Sequence, residues 1–505
     1  MRKHRKLFKA VCMMVMAALF SVNAFAYALA DFQADATTAT LTINGEGTYD
    51  VYQLYDAEIG NQTYLYHANE KYEDWLDGVT AKQLSKYTAD ETQTFLNSIM
   101  GHFTTDTEPD YQMEGFTPEE LPLGYYMIVQ NSNAVVPGTV TSPILVVLPG
   151  TDEEAYHYEV TTDPKNSETS LTKKIVEEET GNLVDTSVSK VGSDITYQID
   201  STVPAYGADV DKSKIVYAIT DNPSEALDVK MGTIVVKMGE TELEENDHYA
   251  VTENEDGGFT VDFDYSCLSA GAAITIQFSA TLNENAVINQ NTGLNIDGYS
   301  ESEVEDECYD GLGNPNGAQL EYTNNYYQGT TSIIRDIVTS YTTKFGIIKV
   351  DEDNHEVKLQ ATFGLYEDEN CSELVEELTT DSETGLVATS TLKPGTYYLQ
   401  ETVAPVGYAN NDTVYTLVIE AEKNEAGNYD GSYTLTADGT AIDNPLTIDN
   451  TENINTLVIE NSSGYSLPYT GGEGVRKILI AGAVLIVGAA GMLVVRRKMA
   501  KKKTK

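Results

Sequence analysis

Alternation of apolar and polar positions with a period of two dominates the chain between residues 38 and 461. TATLTIN (38–44) and YDVYQLYD (49–56) place β-branched or aromatic residues on one face, as a strand with one buried side requires. The same pattern recurs in DITYQIDSTV (194–203), TIVVKMG (233–239), GFTVDFDY (258–265), AAITIQFSATL (272–282) and GAQLEYTNN (317–325). It returns in a shorter frame from residue 344 as KFGIIKVD, ATFGLYED, GTYYLQETV, TVYTLVIEA, GSYTLTAD and NTLVIEN. Short strands at such spacing, separated by turn residues, predict tandem immunoglobulin-like β-sandwiches. Two breaks in the pattern predict helix. Thr88 and Glu91 form a capping-box pair, and Phe95, Leu96, Ile99, Met100 and Phe103 follow at helical spacing. Thr117, Pro118, Glu119 and Glu120 predict a second helix start, with Pro at the first helical position. The expected fold class is therefore mainly β, with helical insertions confined to the first of three domains, 31–162, 163–343 and 344–466.

Both ends depart from this pattern. Arg2, Lys3, Arg5, Lys6 and Lys9 precede an apolar run over 10–20, with small-x-small sites ending at Ala26 and Ala30. Residues 1–30 thus predict a signal peptide cut after one of the two, leaving an exported chain. At the other end ILIAGAVLIVGAAGMLVV (478–495) carries no charge and no Pro, and Arg496, Arg497, Lys498 and further lysines follow. Eighteen helical residues reach about 27 Å, enough for a bilayer core, so a transmembrane helix with a basic cytoplasmic tail is predicted. Just ahead of it stands LPYTGG, Leu467 to Gly472.

Charge and cysteine content narrow the class. The basic residues concentrate at the ends: residues 31–470 hold 17 Lys and Arg against 78 Asp and Glu, a balance of −61. Such a surface repels nucleic acid and excludes it as a partner. Cys267, Cys308 and Cys371 remain after Cys12 leaves with the signal, so disulfides are not the main staple, and whether Cys267 and Cys308 pair stays open. No motif for a turnover enzyme is present. His67, His102, His157, His248 and His355 are scattered without metal spacing, and GxSxG, P-loop and dinucleotide glycine patterns are absent. The acidic loop 351–355 lacks the Gly and the distal Glu of a calcium loop and reads as a solvated turn. No cofactor or metal is expected.

LPYTGG, the apolar run and the basic tail together resemble the cell-wall sorting signal read by sortases of Gram-positive bacteria. The resemblance implies recognition of Leu467, Pro468, Tyr469, Thr470 and Gly471, with cleavage between Thr470 and Gly471. GTYYLQETVAPVGY (395–408) is similar to the E-box of pilin and collagen-adhesin B-type domains. In that family a Lys on the first strand, the E-box Glu and an Asn on the last strand form a spontaneous isopeptide bond; the matching positions are Lys349, Glu401 and Asn461. Burial lowers a lysine pKa and frees its amine as a nucleophile, while a protonated Glu401 would polarise the Asn461 carbonyl and carry protons as ammonia leaves.

A parallel set is expected in the middle domain. Lys173 and Lys174 point to opposite faces of one strand, so only one can be buried, and the family's pattern favours Lys174. IVYAITDNPSEALDV resembles the segment that carries the catalytic Asp, here Asp221 with Asp200 behind it; Ala226 stands where the family usually has Gly. Asn324 is the expected amide partner, with Asn325 or Asn289 as alternatives. Finally, YEVTTDPKN (158–166) resembles the pilin motif, with Asp163 in place of the usual Tyr, which makes Lys165 the nucleophile toward the next subunit's Thr470. The resemblance implies a shaft subunit of a covalent pilus at the cell wall. Its partners would be a sortase, identical subunits, minor pilins, peptidoglycan and a host or surface ligand, with the membrane engaged only transiently. A monomeric wall-anchored adhesin and a tip or basal minor pilin are the alternatives.

Overall fold

The computed structural model describes residues 30–288 and 313–463, apart from 104–106, 132–135, 153, 208–209, 256, 426 and 449–451. Within them the chain forms two compact units, one built mainly from residues up to 341 and the other from residue 342 onward. In the first unit the buried apolar side chains gather into three separate clusters, and in the second into one.

The first unit opens with Thr38–Ile43, which pairs parallel with Glu159–Thr162 and antiparallel with Glu119–Pro122. Facing it, Thr48–Ile59 and Gly124–Gln130 are central in a five-stranded sheet completed by Tyr64–Ala68, Ile144–Leu148 and Tyr111–Glu114. The helix Ala89–Met100 covers this sheet. Its predicted capping box is present: Thr88 Oγ1 accepts from Glu91 N, and Thr88 N donates to the Glu91 carboxylate at 2.8 Å. Phe95, Leu96, Ile99, Met100 and Phe103 pack together with Tyr52, Tyr55 and Met127 of the sheet.

The second predicted helix does not form. Glu119–Pro122 is a strand, with Leu121 buried opposite Ala39. No apolar repeat at helical spacing follows Thr117, and Pro122 would break an α-helix within its first turns.

Beyond residue 165 the unit is a two-sheet sandwich. One sheet holds Leu171–Val176, Asp194–Thr202, Ala273–Leu282 and Val235–Met238; the other holds Thr330–Tyr341, Asn314–Asn325, Tyr217–Pro223, Phe259–Phe263 and Tyr249–Glu253. Tyr197, Ile199, Phe259, Ile276, Phe278 and Leu320 fill the space between them. The second unit repeats this arrangement. Gly346–Asp351 lies beside Glu452–Asn461 in one sheet, and Thr362–Tyr366, Gly395–Val403 and Val414–Lys423 form the centre of the other. The first and last of these strands run parallel, Lys349 opposite Ile459 and Asp351 opposite Asn461.

Because the Ala89–Met100 cap satisfies two amide donors at once, Thr88→Ala is expected to destabilise the first unit by about 1 kcal/mol, read from its denaturant midpoint, with the slope unchanged.

Candidate functional site: two buried lysines and one exposed one

Two lysines among the described residues are buried, Lys173 and Lys349, and each is met by a carboxylate and an asparagine. An isolated ammonium in an apolar core is strongly disfavoured, so each site must either hold an ion pair or lose the charge.

In the second unit, Lys349 follows Ile347 on the inward phase of Gly346–Asp351 and has no exposed side-chain surface. Its Nζ stands 2.5 Å from Asn461 Oδ1 and 3.0 Å from Glu401 Oε2, and it donates to the Glu460 carbonyl at 3.1 Å. Asn461 lies two residues beyond Ile459, the register partner of Lys349, so both side chains leave the same face of the sheet. Glu401 reaches across from the opposite sheet. Its Oε1 accepts from Asn461 Nδ2 at 2.9 Å, and the Ala409 carbonyl accepts from the same nitrogen at 3.0 Å. The amide is thereby oriented with its oxygen toward Lys349 and its nitrogen toward Glu401. The Phe363 ring lies 5.6 Å from Nζ and keeps that side dry. Burial pushes the Lys349 pKa down from its ordinary value, opposed by the Glu401 charge beside it. Lys349, Glu401 and Asn461 are thus brought together as the sequence predicts.

In the first unit the geometry corrects two expectations. On Leu171–Val176 the inward phase is Leu171, Lys173 and Ile175, so Lys173 enters the core. Lys174 points to the other face and pairs with Asp185 in a half-exposed position. Lys173 Nζ forms an ion pair with Asp221 and donates to Asn316 Oδ1 at 2.7 Å and to the Gly317 carbonyl at 2.8 Å. It lies beside the stacked Tyr197 and Phe278 rings, 5.3 Å from each centroid, the two centroids being 5.4 Å apart. Burial lowers its pKa, against the pull of the adjacent Asp221.

Asn316, not Asn324, supplies the amide. The strand Asn314–Asn325 begins before the turn-like run Gly313 to Gly317 has ended, and Asn316 pairs with Pro223, two residues from Asp221. Asn324 lies eight residues further on, roughly 27 Å along an extended strand. It bonds Thr330 at 2.5 Å and Ser332 at 2.6 Å instead. Asn325 caps the following turn through Tyr327 N at 3.1 Å. Asp200 faces outward, accepting from Thr275 at 2.6 Å, and Asn289 lies outside the described residues. The phase of Leu171 and Ile175 was the signal that favours Lys173; nothing in the sequence pattern singles out Asn316.

Lys165 opens a short strand, Lys165–Glu168, that pairs with Thr139–Ser142, and its side chain is exposed. Among the described residues no carboxylate pairs with it. The preceding residues are held firmly: Asp163 accepts from Asn44 Nδ2 at 2.7 Å, and Pro164 sits so close to Gly45 that a Cβ there would come within 2.5 Å of its Cγ. Leu467, Pro468, Tyr469, Thr470 and Gly471, the apolar run 478–495 and Cys308 all lie outside the described residues.

Residues 343–431 match the SpaA prealbumin-like fold domain, and residues 459–501 match the LPXTG cell wall anchor motif. Over 287 residues the chain is 26% identical to the trypsin-resistant surface T6 protein of Streptococcus pyogenes serotype M6, which covers 52% of this chain and 48% of that protein. The chain therefore spans about half the length of that curated relative. Its fold is similar to that of the T6 backbone pilin of serotype M6 S. pyogenes, with a TM-score of 0.55 and 19% identity over 85% of this chain and 94% of that one. It is also similar to the full-length major pilin SpaD of Corynebacterium diphtheriae, with a TM-score of 0.50 and 18% identity over 86% and 100% of the two chains. The chain is a cell-wall-anchored surface protein that joins a SpaA-type prealbumin-like domain and an LPXTG anchor on the fold of the Gram-positive backbone pilins.

Proposed function

We propose that the chain is the shaft subunit of a covalent pilus, stiffened by one internal isopeptide bond in each unit and polymerised by a sortase that joins Thr470 to Lys165 of the next copy. The observation that carries the internal chemistry is the pair of dry Lys–carboxyl–Asn clusters. In each, the neutral lysine amine attacks the asparagine Cγ. The Nζ–Cγ bond forms, the Cγ–Nδ2 bond breaks, and the proton lost by Nζ passes through Glu401 or Asp221 to the departing nitrogen, which leaves as ammonia. The bonds join Lys349 to Asn461 and Lys173 to Asn316, with Glu401 and Asp221 as the respective proton carriers.

The reactive state, amine beside carboxylic acid, holds as many protons as ammonium beside carboxylate. The low-dielectric core shifts the balance inside the pair toward the neutral form, with no proton taken from solvent. The exposed Lys165, in contrast, needs an activated acyl group brought to it, which the sortase supplies as a thioester of Thr470. Closing loops of more than 100 residues, each internal bond would stabilise its unit by about 5 kcal/mol through the unfolded chain.

Intact mass tests the internal bonds directly. Each releases one ammonia, so the mature chain is expected about 34 Da below its sequence mass. Lys173→Ala and Lys349→Ala should each restore about 17 Da beyond the substitution, whereas Lys174→Ala should restore none; an unshifted wild-type mass rules out both bonds. Bond formation during refolding should follow a bell-shaped pH profile. It falls in acid as a second proton enters the pair, and in alkali as the last proton leaves. That alkaline limb should lie below the ordinary lysine value of 10.5, because burial lowers both lysine pKa values. For polymerisation, Lys165→Ala should abolish the high-mass ladders on boiled denaturing gels, and their persistence would assign the acceptor elsewhere.

A further inference from the structure

Phe116 is the one aromatic among seven non-glycine residues that adopt a positive φ in the described chain. At φ 61° its Cβ crowds the backbone, a conformation that asparagine tolerates far better than phenylalanine. The residue is 57% exposed and belongs to none of the buried apolar clusters. A strained backbone that presents a large apolar side chain to water calls for a reason outside the folded unit.

Its position supplies one. Phe116 N donates to the Ile43 carbonyl at 2.7 Å, and Ile43 is the register partner of Thr162, three residues before Lys165. Gly115 and Pro164 pack against the same glycine, Gly45. Phe116 is therefore fixed to the turn that holds Lys165.

A second exposed apolar group lies at the end of the second unit. Val406 is fully exposed and Val403 is 58% exposed, both in the segment that follows Glu401. This loop is bound to the chain's exit: Ala409 N donates to the Ser462 carbonyl at 3.2 Å, and Tyr408 bridges to Ser463. Ser463 and Thr470 are seven positions apart in the sequence, a reach of about 25 Å at most. When Thr470 of one copy is delivered to Lys165 of another, this reach brings the Val403 and Val406 loop of the first into the neighbourhood of the turn that holds Lys165 and Phe116 of the second. Copies that each carry −61 between residues 31 and 470 repel, and apolar contact at the joint would offset that repulsion.

We propose that Phe116 is a docking residue for a second copy of this chain, receiving the Val403 and Val406 loop of the incoming subunit and so aligning its Thr470 carbonyl with Lys165. The proposal rests on the reading of Lys165 as the polymerisation nucleophile.

The test uses the full chain in cells that carry its sortase, with Phe116→Asn, Val406→Ser and Lys165→Ala compared by ladder yield and by the melting temperature of the purified subunit. Phe116→Asn relieves the left-handed strain, so its melting temperature should rise or hold, while ladder yield falls about tenfold. Val406→Ser should lower ladder yield similarly without changing melting. A purely structural Phe116 would tie the two readouts together. Wild-type ladders in both variants, with none in Lys165→Ala, overturn the docking proposal alone; ladders that survive Lys165→Ala overturn it together with the reading it rests on.

Discussion

Everything distinctive in this structure depends on holding a lysine amine in a place where water cannot reach it. A solvated ammonium is inert toward an amide, and no arrangement of neighbours changes that while water remains. Removal of solvent alters the ordering of states: the ion pair loses hydration on both partners, and the neutral amine and acid become accessible within the same proton count. The aromatic rings of Tyr197, Phe278 and Phe363 serve this end. So do the strand phases that aim Lys173 and Lys349 inward, into cores filled mainly by apolar side chains.

The two clusters meet the same chemical requirement with different topology. In the second unit the lysine and asparagine share a sheet and the carboxylate crosses from the other one. In the first unit the carboxylate and asparagine share a sheet and the lysine crosses. What persists is the triangle of side chains and the dry space around it, which is consistent with function residing in the site more than in the strand that supplies each member.

Much of this was legible in the chain. The period-two pattern identifies the strands, the Thr88 and Glu91 pair locates the helix, and IIKVD, the E-box segment and VIEN mark the three members of the second cluster. Two kinds of information were not. Position in the family pattern favours Lys174 over Lys173, whereas Leu171 and Ile175 fix the inward phase on Lys173. Asn316 sits between a proline and a glycine in a run that reads as a turn, and long-range pairing with Thr330–Tyr341 on one side and Tyr217–Pro223 on the other draws that run into a strand. Thr117 to Glu120 shows the converse: a good local helix start is overridden by an available strand partner in Thr38–Ile43.

The parallel pairing of Gly346–Asp351 with Glu452–Asn461 has a mechanical consequence. With the proposed Lys349–Asn461 bond in place, a pull that enters the second unit at residue 344 would travel five residues to Lys349, cross to Asn461, and leave toward the anchor. The 112 residues of separation between them would then lie off the load path, so roughly 370 Å of chain would never become available as extension. The first unit is wired differently. After Asn316 the chain still runs out along Asn314–Asn325 and back along Thr330–Tyr341, where Asn316 faces Val338. Load applied across that hairpin opens its hydrogen bonds one after another from the end. Under tension the second unit would behave as an inextensible link, and this hairpin as a short, reversible spring in series with it.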